Sequence, residues 1–153
     1  MRVKWSSCRL LAGAVVGLGI GLIAWSQWVW AHQDAHTPET LKAFEKLFMD
    51  QVETGDLLFH GDPDTEEKLG VNLSNTGMAC AMCHPYASDT HPHEFPKWQE
   101  QMSKFATLRD MINWCIEKPN EGEVLDIDSP AMKALEAYIY WSNRNSPLRP
   151  GTH

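Results

Sequence analysis

Residues Leu10 to Trp25 are all uncharged and mostly apolar. Three basic side chains precede them, within the first nine residues. The low-charge stretch continues to Ala31, and the first acidic residue of the chain is Asp34. A basic flank before an apolar run is typical of a signal peptide, here cleaved after Ala31, and also of a membrane anchor, which needs about 20 apolar residues. We expect residues 1–31 to be one of the two, and an uncleaved segment would form an apolar helix. Either one exports the remaining chain.

Three later stretches repeat apolar residues at three- and four-residue steps, which is the spacing of one helix face. The first begins at Thr37-Pro38 and either continues towards Gly61 or gives way to a second helix. The second covers residues 107–118, and the third runs from Asp128-Ser129-Pro130 to about Asn143. The apolar positions on these faces are Leu41, Phe44, Leu47 and Phe48, then Leu108, Met111, Ile112 and Cys115, then Met132, Leu135, Tyr138 and Ile139.

The rest of the chain is predicted to be mainly loop. Residues 84–96 contain three prolines and favour an extended loop, while residues 97–105 can form a short helix. We find no internal repeat and no strand of convincing length, so the predicted class is all-α. We expect residues 32–37 to be a linker, residues 38–146 a folded domain and residues 147–153 a tail.

The net charge of the chain limits the classes of macromolecule that we expect it to bind. The apolar fraction of 43% and the charged fraction of 22% are ordinary for a soluble domain. Residues 1–31 hold three of the 13 basic side chains and none of the 20 acidic ones, so the exported part carries about −10. Such a surface excludes nucleic acid as a partner and favours a protein with a basic docking patch. Acidity that only keeps an exported domain soluble is the alternative.

Cys80-Ala81-Met82-Cys83-His84 is a CxxCH motif, which is typical of covalent haem attachment. Two thiols at this spacing can bond the two vinyl groups of one porphyrin, and the following imidazole then meets the iron. Zinc would need a second pair of ligands, and a thioredoxin-type redox pair would need a βαβ pattern; the sequence offers neither. The sequence therefore predicts one haem c, held by Cys80 and Cys83 with His84 on the iron.

The second axial ligand has several candidates. Iron in c-type sites commonly takes Met or His opposite the first imidazole. Cys115 is a single remaining cysteine in an exported domain, so it is either an iron-bound thiolate or a small buried apolar residue. The spacing leaves open Cys115, Met102, Met111, Met132, His91 and His93.

Two further features carry a family resemblance. The run Gly55-Asp56-Leu57-Leu58-Phe59 ahead of CxxCH, together with a proline-capped last helix containing Tyr138, resembles class I cytochrome c. Residues 108–115, Asn120-Glu121-Gly122 and residues 129–139 resemble the thiosulfate dehydrogenases and the haem subunits of the Sox sulfur-oxidation system.

That resemblance implies a class I fold in which the first and last helices cross, with Gly55 against an aromatic of the last helix. It also implies that Cys115 is the distal haem ligand. The chain departs from the family in having one CxxCH where thiosulfate dehydrogenases typically have two, and in having Asn120 where a second-haem domain would have Met. Lys118 is a candidate cation for an anionic sulfur substrate, or a solvated lysine at a helix end.

The predicted function is electron transfer by a periplasmic monohaem cytochrome, between a dehydrogenase and a respiratory or photosynthetic acceptor. It would be tethered to the inner membrane if residues 1–31 persist. The alternative is a haem subunit of a thiosulfate-oxidising enzyme with a Cys-ligated catalytic haem, and enzyme activity stays open. A gas-sensing haem is a third possibility that the sequence does not separate from the first.

Overall fold

The computed structural model describes residues 36–152. Five α-helices dominate: α1 Pro38–Phe59, α2 Pro63–Leu69, α3 Cys80–Cys83, α4 Leu108–Glu117 and α5 Pro130–Ser142. The described chain also contains strands β1 Lys97–Gln99 and β2 Lys104–Ala106, and single 3₁₀ turns at Pro85–Ala87, Pro92–Glu94 and Glu100–Met102. The predicted helical class is therefore confirmed, with one short hairpin added to it.

Helix α1 begins where the proline pattern predicted and continues through Gly55 without a break. A boundary between two structural units falls within it, after Phe44. The buried positions of α1 all lie in its second half: Val52, Gly55, Leu58 and Phe59. The apolar stripe recognised in the sequence is instead exposed, at Leu41 and Phe44 in the first unit and at Leu47 and Phe48 in the second.

Gly55 lies against α5 at a point where no side chain fits. A Cβ built on Gly55 would overlap the carbonyl oxygen of Ala134 and come within 2.8 Å of Tyr138 Cβ. Phe59, one turn further along α1, packs its ring 5.1 Å from that of Tyr138. The expected contact between Gly55 and an aromatic residue of the last helix is therefore confirmed.

Side chains at their first turns fix where α4 and α5 begin. Thr107 accepts from the Asp110 backbone NH, and the Asp110 carboxylate accepts from Thr107 N at 2.8 Å, which is a capping box. Ser129 caps α5 by accepting from Met132 N at 3.2 Å. Arg109 joins the two helices, because its guanidinium donates to Glu136 at 2.8 and 3.0 Å. These starts agree with the sequence prediction.

Residues 97–106 form an antiparallel hairpin, so the short helix predicted for this stretch is wrong. Trp98 and Phe105 face each other across the two strands, and Ser103 takes the left-handed conformation at φ 50°. Aromatic residues favour the extended backbone, and the pairing of the two strands outweighed the weak helical tendency of the intervening residues. Residues 84–96 are loop as expected, apart from two 3₁₀ turns.

The core of the second unit is built from α1, α4 and α5 with loop residues between them. Its largest fully buried side chains include Leu58, Ile116, Met132 and Leu135. Gly122 brings the loop after α4 against the segment before the CxxCH motif, because a Cβ there would lie 2.5 Å from the Leu73 carbonyl group. The Asn120-Glu121-Gly122 turn is thus a packing contact as well as a reversal.

Among residues 36–152, no helix has both the length and the apolar character needed to cross a membrane. The predicted signal peptide or anchor at residues 1–31 lies outside the described residues, as does most of the predicted linker.

Candidate haem-binding site

Two residues of the CxxCH motif and Cys115 line one cleft between α4, α5 and the hairpin. The cleft holds about 810 Å³ of empty space, including its open mouth. Its apolar walls come from Phe59, Phe95, Leu108, Ile112, Leu135 and Ile139. Cys80 and His84 line the cleft together with Cys115, although Cys115 belongs to a helix that comes much later in the chain. An apolar cleft with a few converging donor atoms is the usual form of a cofactor site.

Helix α3 is a single turn that carries the two motif cysteines. Cys80 lines the cleft and packs against the core, whereas Cys83 is exposed and does not belong to the cleft lining. No disulfide joins the three cysteines of the described chain. Within that same part, no three His, Cys, Asp or Glu side chains gather as a cluster able to hold a metal ion. The pair therefore lacks the extra ligands that a structural zinc site requires.

His84 has one ring nitrogen already occupied. Its Nδ1 lies 3.0 Å from the Ser88 carbonyl oxygen, which can only accept, so Nδ1 carries the proton. Nε2 is then left with a free lone pair. Metal-binding histidines are oriented in this way, by a carbonyl or carboxylate on the nitrogen that does not bind the metal. Sequence reasoning found His84 but not Ser88, because a carbonyl partner leaves no mark in the residue types.

The loop that supplies this carbonyl is tied to the end of α5. Asn143 Nδ2 donates to the Ala87 carbonyl oxygen at 3.0 Å and lies 3.3 Å from Thr90 Oγ1. Thr90 Oγ1 donates to the same Ala87 carbonyl at 2.7 Å. Tyr86 and Ala87 both have φ of 55°, which side chains rarely adopt without such support. Asn143 is a functional contact that the sequence analysis missed.

Cys115 faces the cleft from the last turn of α4. Burial raises the pKa of its thiol to about 11, with a further contribution from the charge of Cys83. A thiol in such surroundings stays protonated at neutral pH unless a metal displaces the proton. Without a metal, Cys115 is therefore a poor nucleophile.

The structure separates the other ligand candidates. Met111 and His91 also line the cleft. Met132 is fully buried in the core, and His93 Nε2 lies 2.8 Å from the Asn143 carbonyl oxygen, so neither side chain faces the cleft. Met102 is outside the lining as well.

Polar side chains of the hairpin form the remaining wall of the cleft. Lys97, Gln99 and Gln101 line it, and Lys97 Nζ is paired with Glu94 Oε2 at 2.6 Å. Lys118 is not part of the cleft; it is exposed and lies 2.9 Å from Glu117. The lysine considered for an anionic substrate therefore lies outside the cleft, as a solvated lysine at a helix end. The lysine of the cleft is Lys97, which the sequence analysis did not consider because it placed that residue on a helix.

A family model described as SoxA/TsdA, cytochrome c domain, matches residues 71–148, which is half of the chain and includes both Cys80 and Cys115. The chain belongs to the SoxA/TsdA cytochrome c family. The family carries covalently bound haem c with iron, so haem c is confirmed as the cofactor, and a single haem stays a prediction. The sequence resemblance to this subgroup is confirmed too.

Two curated proteins are similar to this SoxA/TsdA cytochrome. The thiosulfate dehydrogenase of Psychrobacter arcticus is 28% identical over 92 residues, covering 55% of this chain and 28% of its own length. The thiosulfate dehydrogenase of Allochromatium vinosum is 28% identical over 97 residues, covering 56% of this chain and 36% of its own. The chain therefore spans only about a third of the length of these relatives.

The residues around the cleft fit the haem c of the family. The cleft offers one motif cysteine on its wall, with the other on the adjoining face of α3. His84 has its Nδ1 proton held by Ser88, which leaves Nε2 for iron. Cys115 adds a sulfur donor from α4, and the apolar walls suit the porphyrin face.

Proposed function

We propose that this chain is a periplasmic monohaem cytochrome that passes single electrons between partner proteins, with His84 and Cys115 as the two iron ligands. Cys80 and Cys83 would hold the porphyrin by thioether bonds. A bound haem c supplies reversible one-electron transfer at its iron. The protein sets the ligands, keeps water from the apolar walls and presents the cleft mouth to the partner.

The observation that carries the proposal is the shared cleft of His84 and Cys115. His84 needs a donor opposite its free nitrogen, and Cys115 supplies sulfur from a separate helix. A thiolate ligand lowers the reduction potential relative to a thioether, because its negative charge stabilises the oxidised metal. We therefore expect a low-potential carrier.

The electrostatics of the cleft favour a carrier over a thiosulfate-oxidising enzyme. Lys97 is the one lysine or arginine in the described cleft lining, and Glu94 already pairs with it. An anionic substrate would thus meet little uncompensated positive charge, and the exported part carries about −10. Joining two thiosulfates also releases two electrons, whereas one haem takes one.

The decisive experiment compares the oxidised wild-type holoprotein with Cys115→Ser by visible and electron-spin spectroscopy. We expect the wild type to give the spectrum of a thiolate-ligated low-spin iron and the variant to lose it. Met132→Leu is the control, because Met132 is buried away from the cleft and a similar side chain preserves its packing. Identical spectra for wild type and Cys115→Ser would overturn the ligand assignment.

A second candidate function rests on the relatives, both of which are named thiosulfate dehydrogenases. Here the chain would be the haem subunit of a sulfur-compound oxidase, and a second subunit would take the other electron. Gln99 and Gln101 offer hydrogen-bond donors on the wall shared with Cys115. Adding thiosulfate to the oxidised holoprotein distinguishes the two functions: reduction that Cys115→Ser abolishes would favour the enzyme, and no reduction would favour the carrier.

A further inference from the structure

The cleft contains a second sulfur donor beside Cys115. Met111 precedes Cys115 by four residues on α4, so the two side chains share one face of the helix, and both line the cleft. Cys80, the remaining sulfur side chain of the lining, is assigned to the porphyrin. The cleft therefore offers two sulfur donors, Met111 and Cys115, one helical turn apart on the same wall. A haem iron bound by His84 needs only one further ligand.

The sulfur of Met111 lies beside the hairpin wall of the cleft. Its Sδ lies 3.7 Å from Gln101 Nε2, and Gln101 is itself part of the cleft lining. Met111 is only partly buried and packs at the edge of the core, whereas Met132 is 0% exposed inside it. The Met111 side chain is therefore less enclosed by the core than that of Met132. It is also unbranched and flexible, so its sulfur can move within the cleft.

We propose that Met111 is a second axial ligand, which replaces Cys115 when the iron is reduced; the proposal rests on the function proposed above. A neutral thioether favours ferrous iron, and an anionic thiolate favours ferric iron. The exchange breaks the bond from Cys115 Sγ and forms one from Met111 Sδ. The electron comes from the redox partner, and the released Cys115 sulfur takes a proton from solvent.

This exchange would make the chain a carrier whose potential depends on which sulfur is bound. Electron uptake is coupled to ligand replacement, so release of the electron requires Cys115 to return. The two forms would then differ in ligand as well as in charge, and a partner could distinguish them at the cleft mouth.

Carbon monoxide binding to the reduced holoprotein tests the proposal, because the gas competes with Met111 for the iron. We compare wild type, Met111→Leu and the control Met102→Leu, which alters a hairpin methionine outside the cleft. If Met111 occupies the iron nine-tenths of the time, its removal strengthens carbon monoxide binding about tenfold. Met102→Leu should leave the binding unchanged. Equal binding by wild type and Met111→Leu would overturn the proposal.

The variant Cys115→Ala gives a second measurement that does not depend on gas binding. Its oxidised form should show the charge-transfer band of methionine–iron ligation, and Cys115→Ala/Met111→Leu should lack that band. Identical spectra for the single and double variants would contradict a role for Met111. The two proposals fail separately: an oxidised wild type without a thiolate spectrum overturns Cys115 ligation, while the reduced protein decides on Met111.

Discussion

Asp110 combines two interactions at the first turn of α4. Its carboxylate accepts from Thr107 N at 2.8 Å and from Thr107 Oγ1 at 2.7 Å, and it pairs with Lys104 Nζ at 2.6 Å. The hydrogen bond from Lys104, with those from Thr107, lowers the pKa of Asp110 to about 2. This side chain ties the second strand of the hairpin to the helix that carries Cys115.

Replacing Asp110 should destabilise the protein in a pH-dependent way. Because the folded pKa lies below the usual value of 3.8, the carboxylate stabilises the fold above about pH 4. That contribution is lost as pH falls towards 2. We expect Asp110→Asn to cost about 1 kcal/mol at neutral pH, and the difference from wild type to shrink below pH 4.

Denaturant unfolding of both holoproteins at several pH values measures this difference. The exposed Glu123→Gln removes one carboxylate without touching the capping box and should change stability little. A wild-type advantage that grows towards acid would contradict the assignment.

The starts of α4 and α5 were the features best predicted from the sequence, because residues nearby in the chain determine them. Thr107 and Ser129 mark the first turns of α4 and α5 in the sequence and cap them in the structure. The hairpin was missed because it forms by pairing residues 97–99 with residues 104–106, which no local pattern reveals. Leu47 and Phe48 are exposed although they lie on the predicted apolar stripe, because helical spacing indicates a face but not whether another element covers it.

The residues of the site differ in the same way: a local motif reveals some of them, and only the folded structure reveals the others. Cys80, Cys83 and His84 lie within one short motif, and their spacing alone is enough to predict haem attachment. Lys97 and Asn143 reach the site through tertiary contacts, and their residue types are common on any surface. Only the folded chain brings Lys97 to the cleft and Asn143 to the loop beside His84.

The crossing of α1 and α5 provides a test at the level of elements. Alanine normally raises helix stability by about 1 kcal/mol over glycine. At Gly55 the added methyl group would overlap the Ala134 backbone, so the helices must separate. We expect Gly55→Ala to lower the free energy of unfolding by about 1–3 kcal/mol, with the sign opposite to helix propensity.

Thermal unfolding of the holoprotein measures the effect, and Glu53→Ala on the exposed side of α1 is the matched control. The control should lie within about 0.5 kcal/mol of wild type. A stabilised Gly55→Ala protein would mean that α1 and α5 are not in close contact.

At the scale of the whole molecule, net charge predicts how fast charged redox partners associate with the protein. Residues 32–153 carry about −10, so attraction over distance should accelerate encounters with basic redox proteins. We expect the second-order rate of electron transfer to a strongly basic cytochrome to fall at least about tenfold between low and high salt. An acidic cytochrome of similar potential should show the reverse trend.

Stopped-flow mixing at a series of salt concentrations gives both rates. If the basic acceptor reacts at the same rate throughout, net acidity serves solubility alone.

The bond from Asn143 to the loop beside His84 has a consequence for the order of assembly. Asn143 follows α5, so the loop at Ala87 gains this hydrogen bond only when α5 docks. Before that step the bond does not restrain the segment that carries Cys80 and Cys83. Covalent attachment of haem c can therefore precede the docking of α5, which then fixes the loop beside His84.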